Sequence, residues 1–505
     1  MLVKVRSVAN VGLTSYGVDV EVDVAEQGFP GFNIVGLAGK AVEEARERVK
    51  TAINNSGLDF PPKKITVNLA PADLPKDGGA YDLPIAVGIL RASLQIPNPK
   101  SQDPIYYGEL GLDGNLRATK GVLLVGLFAK KGAVFVPIES ANEAAVVGGV
   151  EVYPVRNLKV LVDHLNGVKP ILSLDHLTIN HLIDDSVVEF DLSEVAGQEQ
   201  AKRALTIAAA GGHNLLMWGP PGTGKTMLAR AMPGILPPLS GAEALEVTRI
   251  YSVSGMLDAG ESLLRRRPFR SPHHGISGAG MVGGGTNPMP GEVSLAHLGV
   301  LFLDEMAEFP RSVLEALRQP MEDGTVGIVR AAAHVEYPAS FTLLAAINPC
   351  PCGYLGHPRR ECKCTDKMIR KYRARLSGPI LDRIDLHVQV PAVEIEKLAS
   401  SDQRLASSSV EIRNNVIKAR GVQEKRFGDD GIYTNSQMHN KHVKKYCKLD
   451  GETERILRLA VEKFDLSARA YFRLIKVART IADLEGAENI AIKHMAEALQ
   501  YKQMS

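Results

Sequence analysis

A phosphate-binding loop constrains the fold of this 505-residue chain more than any other feature of its sequence. The apolar segment 214–218 predicts a short strand, and a GxxxxGK[ST] pattern follows it directly. Residues 227–232 then predict a helix, which gives the strand–loop–helix order of a nucleotide-binding P-loop. The loop consists of Gly219, Pro220, Pro221, Gly222, Thr223, Gly224, Lys225 and Thr226.

The residues of this loop predict contacts with nucleotide phosphates and with Mg²⁺. Its glycines let backbone N–H groups converge on phosphate oxygens, and the following helix adds the positive end of its dipole. We expect Lys225 to reach the β- and γ-phosphates and the Thr226 hydroxyl to bind Mg²⁺. The alternative, a chance glycine-rich turn, does not explain the flanking strand and helix.

Three segments farther along the chain predict the rest of the same site. The apolar run 299–303 ends in Asp304, which would hold Mg²⁺ through water, and Glu305, which would orient or deprotonate the attacking water. A second apolar run ends in Asn348, which could sense the γ-phosphate or simply cap the strand and start a turn. Arg383, in the run LDRID, could form a surface ion pair or act as an arginine finger on a neighbouring subunit's phosphate.

Composition excludes several classes of protein without identifying a partner. The chain has 59 Lys and Arg against 57 Asp and Glu, so its net charge is only +2. This balance argues against a disordered polyelectrolyte, and 5% aromatic residues argue against an aromatic-rich all-β chain. No run reaches the ~18 apolar residues of a membrane span, and the first residues do not resemble a secretory signal. We therefore expect a soluble, cytoplasmic protein without membrane contact.

The pattern along the chain predicts three folded units and a linker. Residues 1–167 have an α+β pattern, with valines alternating with acidic residues over 18–24. Residues 168–190 have no clear period and are assigned as a linker. Residues 191–395 contain the P-loop and predict an α/β domain with a mostly parallel sheet, and 396–505 predict charged, amphipathic helices. The expected fold class is therefore α/β multidomain.

Four of the five cysteines lie close together and predict a metal site. Cys350 and Cys352 form one C-x-C pair, and Cys362 and Cys364 form a second pair after nine intervening residues. Four thiolates in a reducing compartment favour tetrahedral Zn²⁺. The C-x-C spacing is tighter than the usual zinc knuckle, and the alternative is a set of reduced structural thiols or a redox-sensitive loop.

Several segments resemble the magnesium-chelatase-like AAA+ ATPases of the ComM (YifB) family. Residues 191–198 are similar to the segment that cradles adenine in AAA+ proteins, and residues 267–277, 291–297 and 348–353 resemble the family itself. The likeness extends from the first strand to the last helix. It implies an AAA+ P-loop core with a helical lid, ATP with Mg²⁺ as the bound nucleotide, and a homohexamer when ATP and DNA are bound.

The same resemblance assigns roles to two arginines. Arg383 matches the arginine finger of the AAA+ branch that inserts a hairpin into its second helix, so it would act on ATP held by a neighbouring subunit. Arg469 matches the second sensor on the helical lid, acting either within its own subunit or on the next one. With Glu305 and Asn348, these arginines complete the predicted catalytic set.

The resemblance also indicates where DNA would bind. Residues 262–296 correspond to the inserted hairpin, which projects toward a central pore in this branch, and residues 359–375 carry eight basic against two acidic side chains. The histidine pair in the insert could instead bind a metal or cap a helix, and the second stretch could be a solvated charged loop. The candidate DNA contacts are Arg265, Arg266, Arg267, Arg270, His273, His274, Arg359, Arg360 and Lys363.

The N-terminal unit resembles the Lon protease domain, which has the ribosomal S5 domain 2-like fold. Residues 74–80 parallel its catalytic loop, and residues 107–116 parallel the hairpin after it. Ala80 occupies the position of the nucleophilic serine. The general-base lysine is expected near Val122, where Lys120 is close in sequence, but without a partner hydroxyl Lys120 cannot form a Ser–Lys pair. We expect this unit to be proteolytically inactive and to serve assembly or DNA contact.

Taken together, the motifs and the resemblance imply an ATP-driven hexameric DNA motor. Its expected activity is helicase or branch migration on single-stranded and branched DNA, during integration of incoming DNA in natural transformation and recombination, with recombination proteins as possible partners. Three alternatives stay open. They are a magnesium-chelatase-type remodelling subunit, a Lon-like ATP-dependent protease, and a DNA-binding scaffold without enzymatic activity.

Overall fold

The structure is a computed structural model that describes residues 1–36, 40–76, 78–99, 103–178, 190–258, 260–285, 287–330, 333–357, 360–376, 378–392, 408–428 and 430–502. Two α/β units and a helical C-terminal region follow one another along the chain. The predicted class, an α/β multidomain protein with a helical C-terminal region, is confirmed. None of the described helices has the length and apolar character that a membrane span needs.

A mixed sheet with helices packed against it forms the N-terminal unit. Its described elements are β1 (Leu2–Val11), β2 (Thr14–Val24), β3 (Gly31–Val35), α1 (Lys40–Asn55), β4 (Lys64–Ala70), α2 (Asp82–Ala92), β5 (Ile105–Tyr106), β6 (Glu109–Leu110), β7 (Leu116–Arg117), α3 (Val122–Ala129), β8 (Gly132–Pro137), α4 (Ala141–Ala145), β9 (Val150–Val155) and α5 (Leu158–Leu165).

The seven strands described in its main sheet have the order β3-β4-β2-β1-β5-β8-β9. β1, β2 and β4 pair antiparallel, and the remaining neighbours pair parallel. The valines of β2 at positions 18, 20, 22 and 24 are all buried, because alternate side chains of a strand share one face. The hairpin expected around Asp113 and Gly114 is present, but it is limited to β6 and β7.

The second unit contains the P-loop and is built on a parallel sheet. Its described elements are α6 (Glu199–Gly211), β10 (Leu215–Trp218), α7 (Lys225–Ile235), α8 (Gly241–Ser254), β11 (Phe269–Arg270), α9 (Gly278–Val282), β12 (Gly283–Gly284), β13 (Met289–Pro290), α10 (Glu292–Leu295), β14 (Val300–Leu303), α11 (Arg311–Ala316), α12 (Arg318–Asp323), β15 (Thr325–Arg330), β16 (Ala333–Pro338), β17 (Thr342–Ile347), α13 (Asp366–Arg373), α14 (Gly378–Leu381) and β18 (Leu386–Gln389).

The parallel sheet of this unit has the strand order β11-β14-β17-β10-β18. All four neighbouring pairs in it are parallel, so the carboxyl ends of β10, β14 and β17 meet at one edge. In open α/β sheets, ligands bind at this edge. A short hairpin, β12–β13, with two paired residues in each strand, lies within residues 262–296, where the inserted hairpin is expected. A second hairpin, β15–β16, precedes β17.

The C-terminal region consists of helices that pack on the P-loop unit. They are α15 (Ser409–Phe427), α16 (Asn440–Tyr446), α17 (Gly451–Phe464), α18 (Ala468–Leu484) and α19 (Ile492–Gln500), and short 3₁₀ turns occur at Gly79–Tyr81, Leu192–Glu194, Met306–Glu308 and Asn435–Gln437. The apolar residues of these helices belong to the same hydrophobic core as β10, α6 and α7. The helical lid and the P-loop unit therefore share one core.

Contacts on α8 connect the N-terminal unit to the P-loop unit. The amide of Gly121 donates to the Ser252 carbonyl at 3.0 Å, and the Ser252 hydroxyl donates to the buried Glu143 carboxylate. The guanidinium of Arg249 donates to the Leu13 carbonyl at 2.9 Å. The two units are thus joined by hydrogen bonds at two residues of α8, Arg249 and Ser252.

Part of the predicted linker, 168–190, is hydrogen-bonded to the N-terminal unit. The amide of Leu174 donates to the carbonyl of Val152 at 2.8 Å, and the amide of Leu177 donates to that of Ala145 at 3.0 Å. Residues 174–177 therefore extend the N-terminal unit, while residues 179–189 lie outside the described part of the chain.

Candidate functional site

The P-loop turns at the carboxyl end of β10 in a conformation that requires glycine. Gly222 and Gly224 have φ values of 75° and 87°, in the left-handed region that side chains disfavour. A Cβ at Gly219 would lie 2.0 Å from the Val390 carbonyl oxygen, so this position has no room for a side chain. Lys225 then begins α7. The loop amides and the helix N-terminus are thereby directed to the same place.

Lys225 lies within the loop that it is predicted to serve. Its Nζ donates to the carbonyl oxygens of Gly219 at 2.8 Å and Pro220 at 2.7 Å, and it lies 3.4 Å from Oδ1 of Asn348. Burial lowers the pKa of the Lys225 ammonium, while the negative charges of Asp304 and Glu305 raise it. The structure therefore brings the P-loop lysine and the predicted sensor Asn348 together.

The predicted magnesium ligands are already in contact. The Thr226 hydroxyl donates to Oδ2 of Asp304 at 2.9 Å. The other carboxylate oxygen of Asp304 accepts the backbone N–H of Glu305 at 3.0 Å. A hydroxyl and a carboxylate are oxygen donors of the kind that Mg²⁺ prefers, so these two residues fit this ion.

Glu305 is exposed and has an unusual backbone conformation. Its φ is 50°, in the left-handed region, and it directly precedes the turn Met306–Glu308. A non-glycine residue in this region stores strain of about 1 kcal/mol or more, and such residues are frequent at active sites. The turn places Glu305 at the edge of the sheet, directly after Asp304.

A cleft opens between the P-loop and the segment predicted to cradle adenine. Its volume is about 620 Å³, and one wall contains Glu194, Val195 and Ala196. Gln198, which precedes α6, donates to the carbonyl of Thr223 at 3.3 Å and to that of Pro391 at 2.7 Å. These bonds connect the adenine segment to the P-loop. The remaining lining residues are Pro221, Gly222, Thr223, Gly224, Met227, Tyr354, His357, Arg360 and Ala392.

Arg383 and Arg469 meet at one carboxylate that sequence reasoning missed. Arg383 Nη2 donates to Oε1 of Glu322, and Arg469 Nη2 donates to the same oxygen at 3.4 Å. Among the described residues that line the nucleotide cleft, neither arginine occurs. Glu322 lies 61 residues before Arg383, so no local pattern could indicate this contact.

Two of the predicted DNA contacts are instead used inside the P-loop unit. Arg270 binds Glu292 with two hydrogen bonds, of 2.6 and 2.8 Å. Arg267 donates to the carbonyls of Pro237 at 2.6 Å and Leu298 at 2.7 Å. It also pairs with the carboxylate of Glu243 at 3.1 Å. Both guanidinium groups therefore have partners within the protein, and their contact with DNA stays a prediction.

The other predicted DNA contacts in the insert are accessible. Arg265 and Arg266 are exposed. His273 is also exposed, and its ring centroid lies 4.0 Å from that of His274. Nδ1 of His273 accepts the backbone N–H of Gly275 at 3.1 Å, a bond within the turn at residues 274–275.

The four clustered cysteines converge after β17. We call residues 350–357 and 360–364 the cysteine loop. All four sulfurs lie within 4.8 Å of one another. Arg360 stacks on the Tyr354 ring at 5.1 Å and donates to its hydroxyl at 2.6 Å, while Lys363 is exposed. Arg359, also predicted to contact DNA, lies outside the described residues.

The N-terminal unit has no hydroxyl at the expected nucleophile position. Ala80 is 5% exposed and lies in the turn Gly79–Tyr81. A lysine that sequence reasoning did not single out, Lys76, is buried nearby and donates to the carbonyl of Pro71. The inactivity of this unit as a protease stays a prediction.

This geometry defines a class of protein. A P-loop, an acidic pair and a polar sensor on adjacent parallel strands, followed by a helical region, are typical of AAA+ nucleotide-binding proteins. The sequence matches three families, described as "Magnesium chelatase, subunit ChlI" over residues 191–398, "Subunit ChlI of Mg-chelatase" over 20–140, and "Magnesium chelatase, subunit ChlI C-terminal" over 406–502.

Comparison with curated proteins identifies the family. The chain is 44% identical to Competence protein ComM of Haemophilus influenzae over 510 residues, which covers 99% of this chain and 97% of that protein. It is 43% identical to YifB of Escherichia coli over 504 residues, covering 99% and 96%. It is 23% identical to the magnesium-chelatase 38 kDa subunit of Rhodobacter capsulatus over 333 residues, covering 61% and 84%. The chain therefore belongs to the ComM/YifB family of magnesium-chelatase-like AAA+ proteins, a family that implies ATP and Mg²⁺.

Proposed function

We propose that this protein is an ATP-driven DNA motor that works as a homohexamer. The observation that supports this most directly is the division of its catalytic groups. Lys225, Thr226 and Asp304 are gathered at the P-loop, whereas Arg383 and Arg469 are held together at Glu322. Such a division suits an ATP site between subunits, where each P-loop receives arginines from its neighbour. This proposal places Arg469 in trans, as well as Arg383.

Each residue has a separate task in the proposed hydrolysis. Thr226 and Asp304 would hold Mg²⁺, which neutralises charge on the β- and γ-phosphates. Lys225 would exchange its two carbonyl partners for phosphate oxygens. Glu305 orients the attacking water and accepts its proton, and Asn348 holds a γ-phosphate oxygen or that water. The neighbouring Arg383 stabilises charge that develops as the phosphate is transferred.

DNA is the proposed substrate of this motor. One full-length relative bears the name Competence protein, which suggests a role with DNA taken up during natural transformation. Arg265 and Arg266 are exposed in the insert and are suited to phosphate backbone contacts. We propose that the motor binds single-stranded and branched DNA and drives branch migration during recombination.

Strand exchange on a labelled three- or four-strand junction tests this function. Wild-type protein with ATP and Mg²⁺ should move the branch point, and DNA should stimulate ATP turnover. Glu305→Gln should bind ATP and DNA but fail to move the branch. ATP turnover without any DNA stimulation or branch movement would contradict the proposed substrate.

A magnesium-chelatase-type remodelling subunit is the second candidate. It is favoured by the matches to the ChlI families and to the Rhodobacter capsulatus subunit. Tetrapyrrole-dependent ATP turnover without DNA stimulation would support this candidate instead. Degradation of casein would support the protease alternative, which Ala80 disfavours.

A further inference from the structure

The sulfurs of the cysteine loop are spaced as the corners of a metal-binding tetrahedron. The Cys350 sulfur lies 3.4 Å from that of Cys352 and 3.6 Å from that of Cys362, and the last two are 3.6 Å apart. Zn–S bonds of about 2.3 Å in a tetrahedron place sulfurs about 3.8 Å apart. Disulfide sulfurs would be about 2.05 Å apart, and these cysteines are free. The spacing therefore suits four thiolates around one Zn²⁺.

Backbone groups and nearby charges also suit a metal-bound thiolate. The amides of Tyr354 and Lys363 donate to the Cys352 sulfur, as outer partners of metal ligands commonly do. Zn²⁺ with four thiolates carries a net charge of −2. The exposed cations Arg360 and Lys363 lie within the same loop and can balance this charge.

The same loop forms part of the nucleotide cleft. Tyr354, His357 and Arg360 line it, opposite the adenine segment and beside the P-loop. Gly353 packs so closely on the P-loop that a Cβ there would lie 2.7 Å from Cδ of Pro221. The loop also begins two residues after Asn348, which contacts Lys225. A change in the conformation of the cysteine loop would therefore also move residues that line the nucleotide site.

We propose that Cys350, Cys352, Cys362 and Cys364 bind one Zn²⁺. This ion fixes the cysteine loop as one wall of the cleft, and in that position Arg360 contacts the phosphates of the bound nucleotide. The second part rests on the proposed nucleotide site. Arg360 has a defined position because its guanidinium stacks on Tyr354 and one nitrogen binds the tyrosine hydroxyl. Arg360 lines the same cleft as P-loop residues 221–224, and a guanidinium is well suited to binding phosphate oxygens.

Metal content and nucleotide affinity of the full-length protein test this inference. Elemental analysis should find one zinc per chain in the wild type and in Cys447→Ala, the control for a buried cysteine outside the loop. The double variant Cys352→Ser/Cys362→Ser should lose the zinc and bind a fluorescent ATP analogue roughly tenfold more weakly. Wild-type protein without stoichiometric zinc, or zinc loss without any change in affinity, would overturn the proposal.

Arg360→Ala separates the loop's contact with nucleotide from its folding. This variant should keep its zinc and still bind the ATP analogue roughly tenfold more weakly, with partial recovery in Arg360→Lys. The matched control is Arg373→Ala, which removes an exposed arginine of α13 and should bind as the wild type does. Unchanged affinity in Arg360→Ala would overturn the proposed contact.

A further variant distinguishes this inference from the proposed function. If Lys225→Ala binds the analogue as tightly as the wild type, the proposed nucleotide site itself is wrong. If Lys225→Ala loses affinity and Arg360→Ala does not, only the role of the cysteine loop is wrong.

Discussion

Two buried lysines, one in each α/β unit, have different partners. Lys225 in the P-loop and Lys76 in the N-terminal unit both donate to backbone carbonyls, and burial lowers the pKa of both ammonium groups. The Nζ of Lys225 lies 3.4 Å from Oδ1 of Asn348, and the negative charges of Asp304 and Glu305 raise the pKa of its ammonium group.

Around Lys76, the described residues supply the charge of Asp73, which raises the pKa of the lysine against the effect of its burial. Ala80 occupies the position where a nucleophilic hydroxyl would be needed. Burial of a lysine therefore does not by itself make a catalytic site. The difference comes from the side chains that other strands bring to it.

The largest expected effect comes from removing each lysine in turn. Lys225→Ala should lower ATP turnover at least about 10³-fold, because the phosphates lose a positioned charge. Lys76→Met removes the ammonium but keeps most of the volume, and should leave ATP turnover within about twofold of the wild type. A coupled-enzyme ATPase assay measures both. Loss of turnover in Lys76→Met, with an unchanged circular dichroism spectrum, would contradict the comparison.

The next largest effect is expected at Arg383, and it tests whether the ATP site of one chain needs an arginine from a second chain. Arg383→Ala should lower ATP turnover about 10³-fold and change ATP affinity little, because an arginine finger acts mainly in the transition state. Mixing Arg383→Ala with Lys225→Ala chains should restore part of the activity, since some interfaces then combine an intact P-loop with an intact arginine. If the mixed chains still assemble but ATP turnover does not recover, Arg383 acts on the ATP bound by its own subunit.

A smaller effect is expected at Glu322, which holds both arginines. Glu322→Gln should lower kcat roughly three- to tenfold with little change in KM, because the finger loses its positioning partner but keeps its charge. The matched control is Glu315→Gln, which pairs with Arg311 and Arg318 and contacts neither Arg383 nor Arg469 among the described residues. An increase in kcat would show that Glu322 restrains the arginines instead.

The smallest effect concerns the contact between the two units. Burial raises the pKa of Glu143 from 4.5 to about 7, although Ser252 and the Leu123 amide stabilise its carboxylate. The folded state therefore binds more protons than the unfolded state between pH 4.5 and 7, so stability falls as pH rises through this range.

Glu143→Gln should remove this dependence. At pH 8, the free energy of unfolding of the variant should exceed that of the wild type by about 1–3 kcal/mol. This difference should become smaller at pH 5. Thermal unfolding at the two pH values measures it, with the exposed Glu26→Gln as control. A gap that stays constant with pH would exclude titration of Glu143 as its cause.

Local patterns were sufficient to predict much of the fold and part of the site. The strands before the P-loop, before Asp304 and before Asn348 lie where the apolar runs predicted them. Helices Ser409–Phe427 and Ala468–Leu484 lie in the segment where apolar spacing predicted amphipathic helices. Each of these depends on neighbours along the chain. The short helix Ile492–Gln500 was not predicted individually.

The partners of charged side chains were harder to predict. Arg267 and Arg270 belong to a basic, glycine-rich segment that indicated a DNA contact, yet carboxylates 22 and 24 residues away neutralise them. Glu322 and Lys76 were missed because a single charged residue carries no periodic signal. Such pairs depend on how the elements pack.

By itself, the sequence determined the P-loop, the acidic pair after a buried strand and the two C-x-C pairs, because each is a short pattern with its own local geometry. Tertiary structure alone decided that two arginines share Glu322 and that the cysteine loop lines the nucleotide cleft. These contacts join segments that are far apart in sequence, up to 147 residues for Arg469 and Glu322. Their distances follow from the packing of helices and sheet around a common core, which a local pattern does not contain.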